Sequence, residues 1–283
     1  MAHQAQLTEW ILRNDERLNL QVQELSWIKS IFPNWYDLQA SISVFGERFI
    51  GRGSDSDAHT ALGKAVCEAV ERATCFRHGI SSLGVAGHLS LELAQANARL
   101  EYIERFCMSR QVEERIFLAK LSDSKAICER NEKRGVAVRF YRLASPEKTP
   151  VVLCLANGEN ADPPFGGILG LGAALSEGAA YEKALLECLR NLEFYFHAKP
   201  ASLASADFQK IAKPKAQDRQ ALLRDLTYFR QLMASLDQPA PVGLTVPEGK
   251  FEGLSLDAAF GDCPLVFTRY SASVPLAQPE FLA

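Results

Sequence analysis

Residues 57–76 read DAHTALGKAVCEAVERATCF, and residues 91–106 read LELAQANARLEYIERF. Both have one spacing: Ala, three residues, Ala, two residues, Glu, then a second Glu three residues on with an Arg directly after it. The positions are Ala61, Ala65, Glu68, Glu71 and Arg72 in the first stretch. In the second they are Ala94, Ala98, Glu101, Glu104 and Arg105. Successive helical residues turn by about 100°, so Ala61, Ala65, Glu68 and Arg72 fall on one narrow stripe. Leu62, Val66, Ala69 and Ala73 form a separate apolar face, the expected core side. Glu68 and Arg72 then lie beside the core on a surface of small side chains. Glu71 lies further round, three residues from Glu68 and within reach of the same ion.

Carboxylates next to a buried face need partners, because an unpaired buried charge is costly. Hard cations such as Mg2+ take oxygen ligands, often one or two carboxylates plus substrate phosphates. An arginine beside them can fork onto phosphate oxygens. The plainer reading is a surface ion pair. Glu68–Arg72 and Glu101–Arg105 have the favourable i,i+4 order, worth about 0.2–0.5 kcal/mol each. Two copies on one alanine register, and a third at Ala180, Ala184 and Glu187, favour a site over isolated pairs. In the third copy Arg190 takes the place of Glu71 and Asn191 that of Arg72. That helix either contacts phosphate or is structural.

These residues resemble the YcaO-domain family. GRGSDSDAHTALGKAVCEAVERA (51–73) is similar to its first glycine-flanked helix ending in ExxER. SSLGVAGHLSLELAQANARLEYIERF (81–106) is similar to the second. TPVVLCLANG (149–158) with GLGAALSEGAAYEKALLECLRN (170–191) is similar to the strand, glycine turn and acidic helix of the third. The resemblance implies an α+β, YcaO-like fold, with mixed or antiparallel sheets packed against the acidic helices. It implies ATP and Mg2+ as cofactors, and an enzyme that phosphorylates a backbone amide oxygen to give an azoline, a thioamide or an amidine. Such chemistry belongs to natural-product or protein modification. Glu68, Glu71, Glu101 and Glu104 would be the Mg2+ carboxylates. Arg72 and Arg105 would face phosphates or brace those carboxylates. Ser81 or Ser82 would sit near the nucleotide, Glu187 would be the third acid, and Arg190 would face the nucleotide. Partners implied are a peptide or protein substrate, a leader-recognition protein and a second copy of the chain. The sequence departs from the family pattern at Leu83, His88, Arg190 and Leu192. The alternative reading is therefore a non-catalytic YcaO-like subunit that binds a peptide or a partner protein.

Composition sets the outer bounds. The chain has 283 residues, 47% hydrophobic and 23% charged, with a net charge of −3. That is ordinary for a globular chain and offers no basic surface for nucleic acid. The first residues, MAHQAQLTEWILRNDERLNLQ, lack the apolar run of a signal peptide. No apolar stretch approaches the roughly 18 residues of a membrane span. Seven cysteines without a CxxC pair fit neither a zinc site nor a disulfide framework. They point to a reducing cytoplasm and to packing roles. A P-loop and a GxSxG elbow are both absent. The residue three after Glu68 and after Glu101 is Glu, not the His of a di-iron site.

The pattern along the chain is read as one YcaO-like domain over 1–283. Its core motifs cover 45–195, and a C-terminal linker, helix and strand cover 199–283. Expected elements are a helix over 5–17, a strand or hairpin over 38–53, a helix over 122–133, and strands over 136–143 and 149–156. A Gly- and Pro-rich loop comes next at 158–172, then a linker at 199–218, a helix at 219–236, linker again at 238–250 and a strand at 264–272.

Overall fold

The computed structural model describes residues 2–30, 32–114, 119–120, 125–145, 149–211, 216–236 and 247–272. The chain divides into two units. One comprises Met1–Tyr102 with Glu248–Ser273, and the other Ile103–Pro247 with Val274–Ala283.

The first unit begins with α1 (Ala2–Leu18), β1 (Gln21–Glu24), β2 (Tyr36–Val44), β3 (Glu47–Asp55) and α2 (Ala58–His78). The three strands form an antiparallel sheet in the order β1-β2-β3. A two-residue turn joins β2 to β3. Phe45 and Gly46 both have positive φ there, the twist that suits a tight hairpin. The expected hairpin over 38–53 is this pair. Asp57 caps α2 by accepting from the Thr60 N–H at 2.7 Å. Gly79, at φ +64°, ends the helix by donating to the carbonyls of Cys75 and Phe76, a left-handed stop that glycine adopts without strain. Next come β4 (Val85–His88) and the start of α3 (Leu91–Glu114). The chain returns to this unit as β9 (Gly249–Leu254) and β10 (Val266–Ala272). These complete a second antiparallel sheet, β4-β10-β9. The core joins Trp10 and Ile11 of α1, Ala40 and Ile42 of β2, Val66 and Val70 of α2, and Phe260 and Phe267. The Trp10 indole N–H is satisfied by the Phe260 carbonyl at 3.1 Å.

The second unit contains the rest of α3 and β5 (Ala119–Lys120), α4 (Lys125–Glu132), β6 (Ala137–Arg142), β7 (Val151–Gly158), β8 (Phe165–Ala173) and α5 (Glu177–Ala198). After them come α6 (Ser205–Phe208), α7 (Ala216–Leu223) and α8 (Leu226–Leu236). Its sheet runs β5-β6-β7-β8, antiparallel throughout. Strands β7 and β8 are buried along nearly their whole length, so both read as unbroken apolar runs and not as alternating ones.

Three expectations are corrected by packing. The alanine stripe of α2 does not border the core; Ala61 and Ala65 are fully buried, and they receive β3. A Cβ on Gly51 would lie 2.1 Å from the Ala65 carbonyl oxygen, and one on Gly53 2.1 Å from that of Ala61. The Gly-rich stretch expected as a loop at 158–172 is largely β8. A Cβ on Gly170 would lie 2.2 Å from the Ala184 carbonyl oxygen, and one on Gly172 2.1 Å from that of Ala180. These glycines are strand residues that let a helix touch the strand backbone. The expected linker at 199–218 carries α6 and the start of α7, and the expected helix at 219–236 breaks into α7 and α8 at Arg224–Asp225. Residues 122–124 and 238–246 of the expected helix and linker lie outside the described residues, and 249–250 already belong to β9.

Substituting Gly51 or Gly170 by Ala forces backbone apart from backbone. Overpacking of this kind costs about 1–3 kcal/mol or more. Urea unfolding should show that loss in each variant, with no comparable loss for Gly253→Ala, whose added methyl meets nothing within 4 Å.

Candidate functional site

In the first unit, the close seat of β3 on α2 brings Glu68 over the strand. The Glu68 carboxylate accepts from the Arg52 backbone N–H at 2.7 Å and from the Arg72 guanidinium at 2.5 Å. Arg72 is 53% exposed, so this half of the motif is the rim ion pair that an i,i+4 spacing favours. The Arg52 guanidinium points to the opposite strand. It forks onto the fully buried Asp37, which also accepts from the Ser54 hydroxyl at 2.7 Å. Gly51-Arg52-Gly53 is thus the middle of a strand, with its side chain and its central N–H both engaged.

Glu71 stands one turn further along α2. It accepts a hydrogen bond from the Gly87 N–H of β4 and lies in the field of Glu101 on α3. Burial raises its pKa well above the usual carboxylate range, and the negative charges of Glu101 and Glu68 raise it further. Arg72 and the Gly87 N–H offset this only in part. Ser81 and Ser82 are exposed in the turn after α2, where the Ser81 hydroxyl accepts from the Leu83 N–H at 3.0 Å. Gly87 has no room for a side chain, since a Cβ would lie 2.2 Å from the Phe267 ring. The close approach that places its N–H near Glu71 results from that packing.

The second unit repeats the strand-on-helix device. Ser176 caps α5 as Asp57 caps α2. The Glu187 carboxylate accepts from the Leu171 N–H at 2.8 Å, as Glu68 does from Arg52. Asn191, in the place of Arg72, donates to the Leu169 carbonyl at 3.3 Å. Glu104 is buried in this unit, 2% exposed. It accepts from the Lys183 ammonium at 2.9 Å and from the Ala173 N–H at 3.1 Å. Arg105, half-buried, lies 4.0 Å away. Burial alone would push the Glu104 carboxyl up, yet Lys183, Arg105 and the Ala173 N–H hold it below the usual range. Glu187 has the opposite balance. Burial and the Glu104 charge raise it, and Arg105, Lys183 and the Leu171 N–H compensate only in part. Arg190 is half-buried, and its Nε has no hydrogen-bond partner among the described residues.

The expected site residues therefore fall in two places. Glu68, Glu71, Arg72 and Glu101 gather in the first unit with Ser81 and Ser82 nearby in sequence. Glu104, Arg105, Glu187 and Arg190 lie in the second. Among the described residues, no three His, Cys, Asp or Glu side chains converge as a metal-ligand set. The Glu71–Glu101 pair still suits a hard cation, which needs only one or two protein carboxylates when phosphates and water complete its shell. Sequence reasoning missed Lys183, whose partner Glu104 lies on a different helix. It sits at i−4 from Glu187, a spacing that points to a partner on its own helix, whereas its hydrogen bond goes to Glu104. The buried cysteines are packing groups: burial pushes the Cys75 and Cys107 thiols up to about 12. No helix among the described residues is long and apolar enough to cross a membrane.

An α+β protein with ExxER helices beside antiparallel sheets defines the class. Residues 76–246 match the family model described as YcaO cyclodehydratase, ATP- and Mg2+-binding. That match spans more than half the chain, so the protein belongs to the YcaO family. The structure of YcaO from Methanopyrus kandleri bound with AMPPCP and Mg2+ is similar over 95% of this chain and 90% of that one, with TM-score 0.66 and 14% identity. A heterocyclase in complex with substrate and cofactor is similar with TM-score 0.60 and 12% identity. That likeness covers 93% of this chain but 51% of the other, so the chain spans about half its length. At these identities the likeness establishes the fold. No curated protein sequence matches the chain.

A carboxyl whose folded pKa exceeds its unfolded value, as at Glu71, stabilises the fold below the unfolded pKa, and this contribution is lost as pH rises. Glu71→Gln removes the like charge from the Glu101 neighbourhood. Without added metal, the variant should melt about 2–4 °C above wild type at pH 8, as expected for roughly 1 kcal/mol in a chain of this size. The gap should close toward pH 4. Thermal melts across that range read it directly.

Proposed function

We propose that this chain acts on a peptide backbone amide in an ATP- and Mg2+-dependent reaction of the YcaO cyclodehydratase type. The finer product, an azoline or the related thioamide or amidine, is part of the same proposal. The observation that carries it is the Glu71–Glu101 pair. Burial and the charges of Glu101 and Glu68 push the Glu71 carboxyl well above its usual range, a repulsion that a divalent cation would relieve. The family match supports the identity of that cation and of the nucleotide it accompanies.

When bound, Mg-ATP supplies a phosphoryl group that turns an amide oxygen into a leaving group. The chain's own residues supply position and charge. Glu71 and Glu101 would hold the cation, and Gly87 N–H orients Glu71. Glu68 and Glu187 pin β3 and β8 to their helices, so the groups around them keep a fixed geometry. Arg72 and Arg105, from the ends of the ExxER motifs, are the cations offered to phosphate. Ser81 and Ser82 are exposed donors in the turn after α2. Glu104 already has Lys183 as its counter-charge, so its part is to place Lys183 and Arg105. Arg190 brings a further positive group in the second unit.

The two units together form one YcaO-like domain over 1–283 in this reading. The substrate is a peptide or protein, and a leader-recognition protein and a homodimer belong to the same proposal. So does a cytoplasmic setting, which the thiols of Cys67, Cys75, Cys107, Cys188 and Cys263, in no disulfide, support. One observation favours the second reading, a non-catalytic subunit. Lys183 occupies the Glu104 carboxylate with a protein cation, where the family resemblance implies metal.

Calorimetric titration with a non-hydrolysable ATP analogue, with and without Mg2+, tests the proposal. The expected result is Mg2+-dependent binding that weakens about tenfold or more in the Glu71→Gln/Glu101→Gln variant, the worth of one lost charge contact. An absence of binding at millimolar analogue would overturn the nucleotide reading and leave the subunit reading.

A further inference from the structure

Three sheet edges in this protein have an outward N–H taken by a glutamate: Arg52 of β3 by Glu68, Leu171 of β8 by Glu187, and Gly87 of β4 by Glu71. Strand β9, at the outer edge of the β4-β10-β9 sheet, has no such cap among the described residues. Its register with β10 shows which groups face out. The Tyr270 N–H bonds the Gly84 carbonyl on the β4 side at 2.7 Å, so the neighbouring Arg269 and Ser271 direct their backbone groups to β9. They lie opposite Glu252 and Lys250. The alternation of an antiparallel ladder then turns the N–H and C=O groups of Gly249, Phe251 and Gly253 outward. The Thr268 hydroxyl, which donates to the Glu252 carbonyl at 3.1 Å, agrees with that direction. All residues from Gly249 to Gly253 are exposed. The strand has neither the proline nor the bulge that commonly protects an edge.

We propose that β9 is a self-complementary edge that pairs antiparallel with β9 of a second copy of this chain. The charge pattern of GKFEGL (249–254) selects the register. With Phe251 opposite the partner's Phe251, the outward groups of both strands meet as hydrogen-bonded pairs, and Gly249 lies opposite the partner's Gly253. Lys250 then faces the partner's Glu252, and Glu252 faces the partner's Lys250. Both fall at non-hydrogen-bonded pairs, where side chains come closest. The two adjacent registers that keep the same groups bonded set Lys250 opposite the partner's Lys250, or Glu252 opposite the partner's Glu252. Like charges directly opposite are destabilising, so only one register satisfies both charges. Phe251, 41% exposed, ends an aromatic row of Tyr102, Tyr270 and Phe251 with ring centroids 5.2 and 5.1 Å apart. The pairing continues that row into the partner's Phe251. Gly249 and Gly253, two residues to either side on the same face, leave room for the second ring. A contact of this kind is isologous, so it closes as a dimer and does not propagate. The interface uses none of the acidic motifs, so it and the proposed reaction can fail separately.

Sedimentation equilibrium of the full chain without nucleotide, from about 1 μM to about 1 mM, reads the self-association. The expected result is a monomer–dimer equilibrium. Lys250→Glu sets like charges opposite each other at both paired positions, and so does Glu252→Lys. Each should weaken dimerisation about tenfold or more. Lys250→Glu/Glu252→Lys restores opposite charges with the signs exchanged and should recover dimerisation to within about threefold. Mixing the two single variants should give a heterodimer, because each then meets the opposite charge on the other. Both side chains are exposed, and a thermal melt of each variant checks its fold. A monomer throughout the range, a dimer indifferent to both single variants, or a loss that neither the double variant nor the mixture reverses would overturn the interface.

Discussion

A strand laid on a helix with nothing between their backbones is the contact on which both units depend. Glycine on the strand and alanine on the helix are what permit it. Gly51 and Gly53 meet the Ala61–Ala65 turn of α2, and Gly170 and Gly172 meet the Ala180–Ala184 turn of α5. In each unit a glutamate one turn further on accepts from the N–H between the two glycines. That bond satisfies a strand N–H facing a helix, a donor that would otherwise be buried without a partner. The strand, the helix and the acid are therefore fixed as a set, and the next acid or base along the helix is placed by them.

The next charged position along each helix makes the difference between the units. On α2 it is Glu71, whose carboxyl is raised by burial and by the charges of Glu101 and Glu68. On α5 it is Arg190, and the acid in that unit, Glu104, is met by Lys183. One duplicated local device thus gives a raised carboxyl in one unit and a largely neutralised acid in the other.

The acidic motifs were legible because helical spacing alone puts Glu68 and Arg72 on one stripe, and that pair forms. The α+β class and the order of acidic helices came from the same motifs. Spacing could not show the direction from which a partner arrives. The alanines at 61 and 65 signal a close approach, but sequence does not say whether a ligand or the protein's own strand makes it. The same ambiguity turned GGILGLG into an expected loop, since glycine permits a turn and a tight strand contact equally well. Long-range pairings such as Lys183–Glu104 and Arg52–Asp37 have no local signature, because each joins elements brought together only by the tertiary fold.

Entry of a divalent cation at the Glu71–Glu101 pair is the claim on which the proposed chemistry stands. Replacing Mg2+ by Mn2+ and locating it by anomalous scattering, in crystals grown with a non-hydrolysable ATP analogue, tests this directly. The predicted result is Mn2+ in direct contact with an oxygen of Glu71 or Glu101 and with the analogue's phosphates. Mn2+ and analogue bound away from both carboxylates would contradict it.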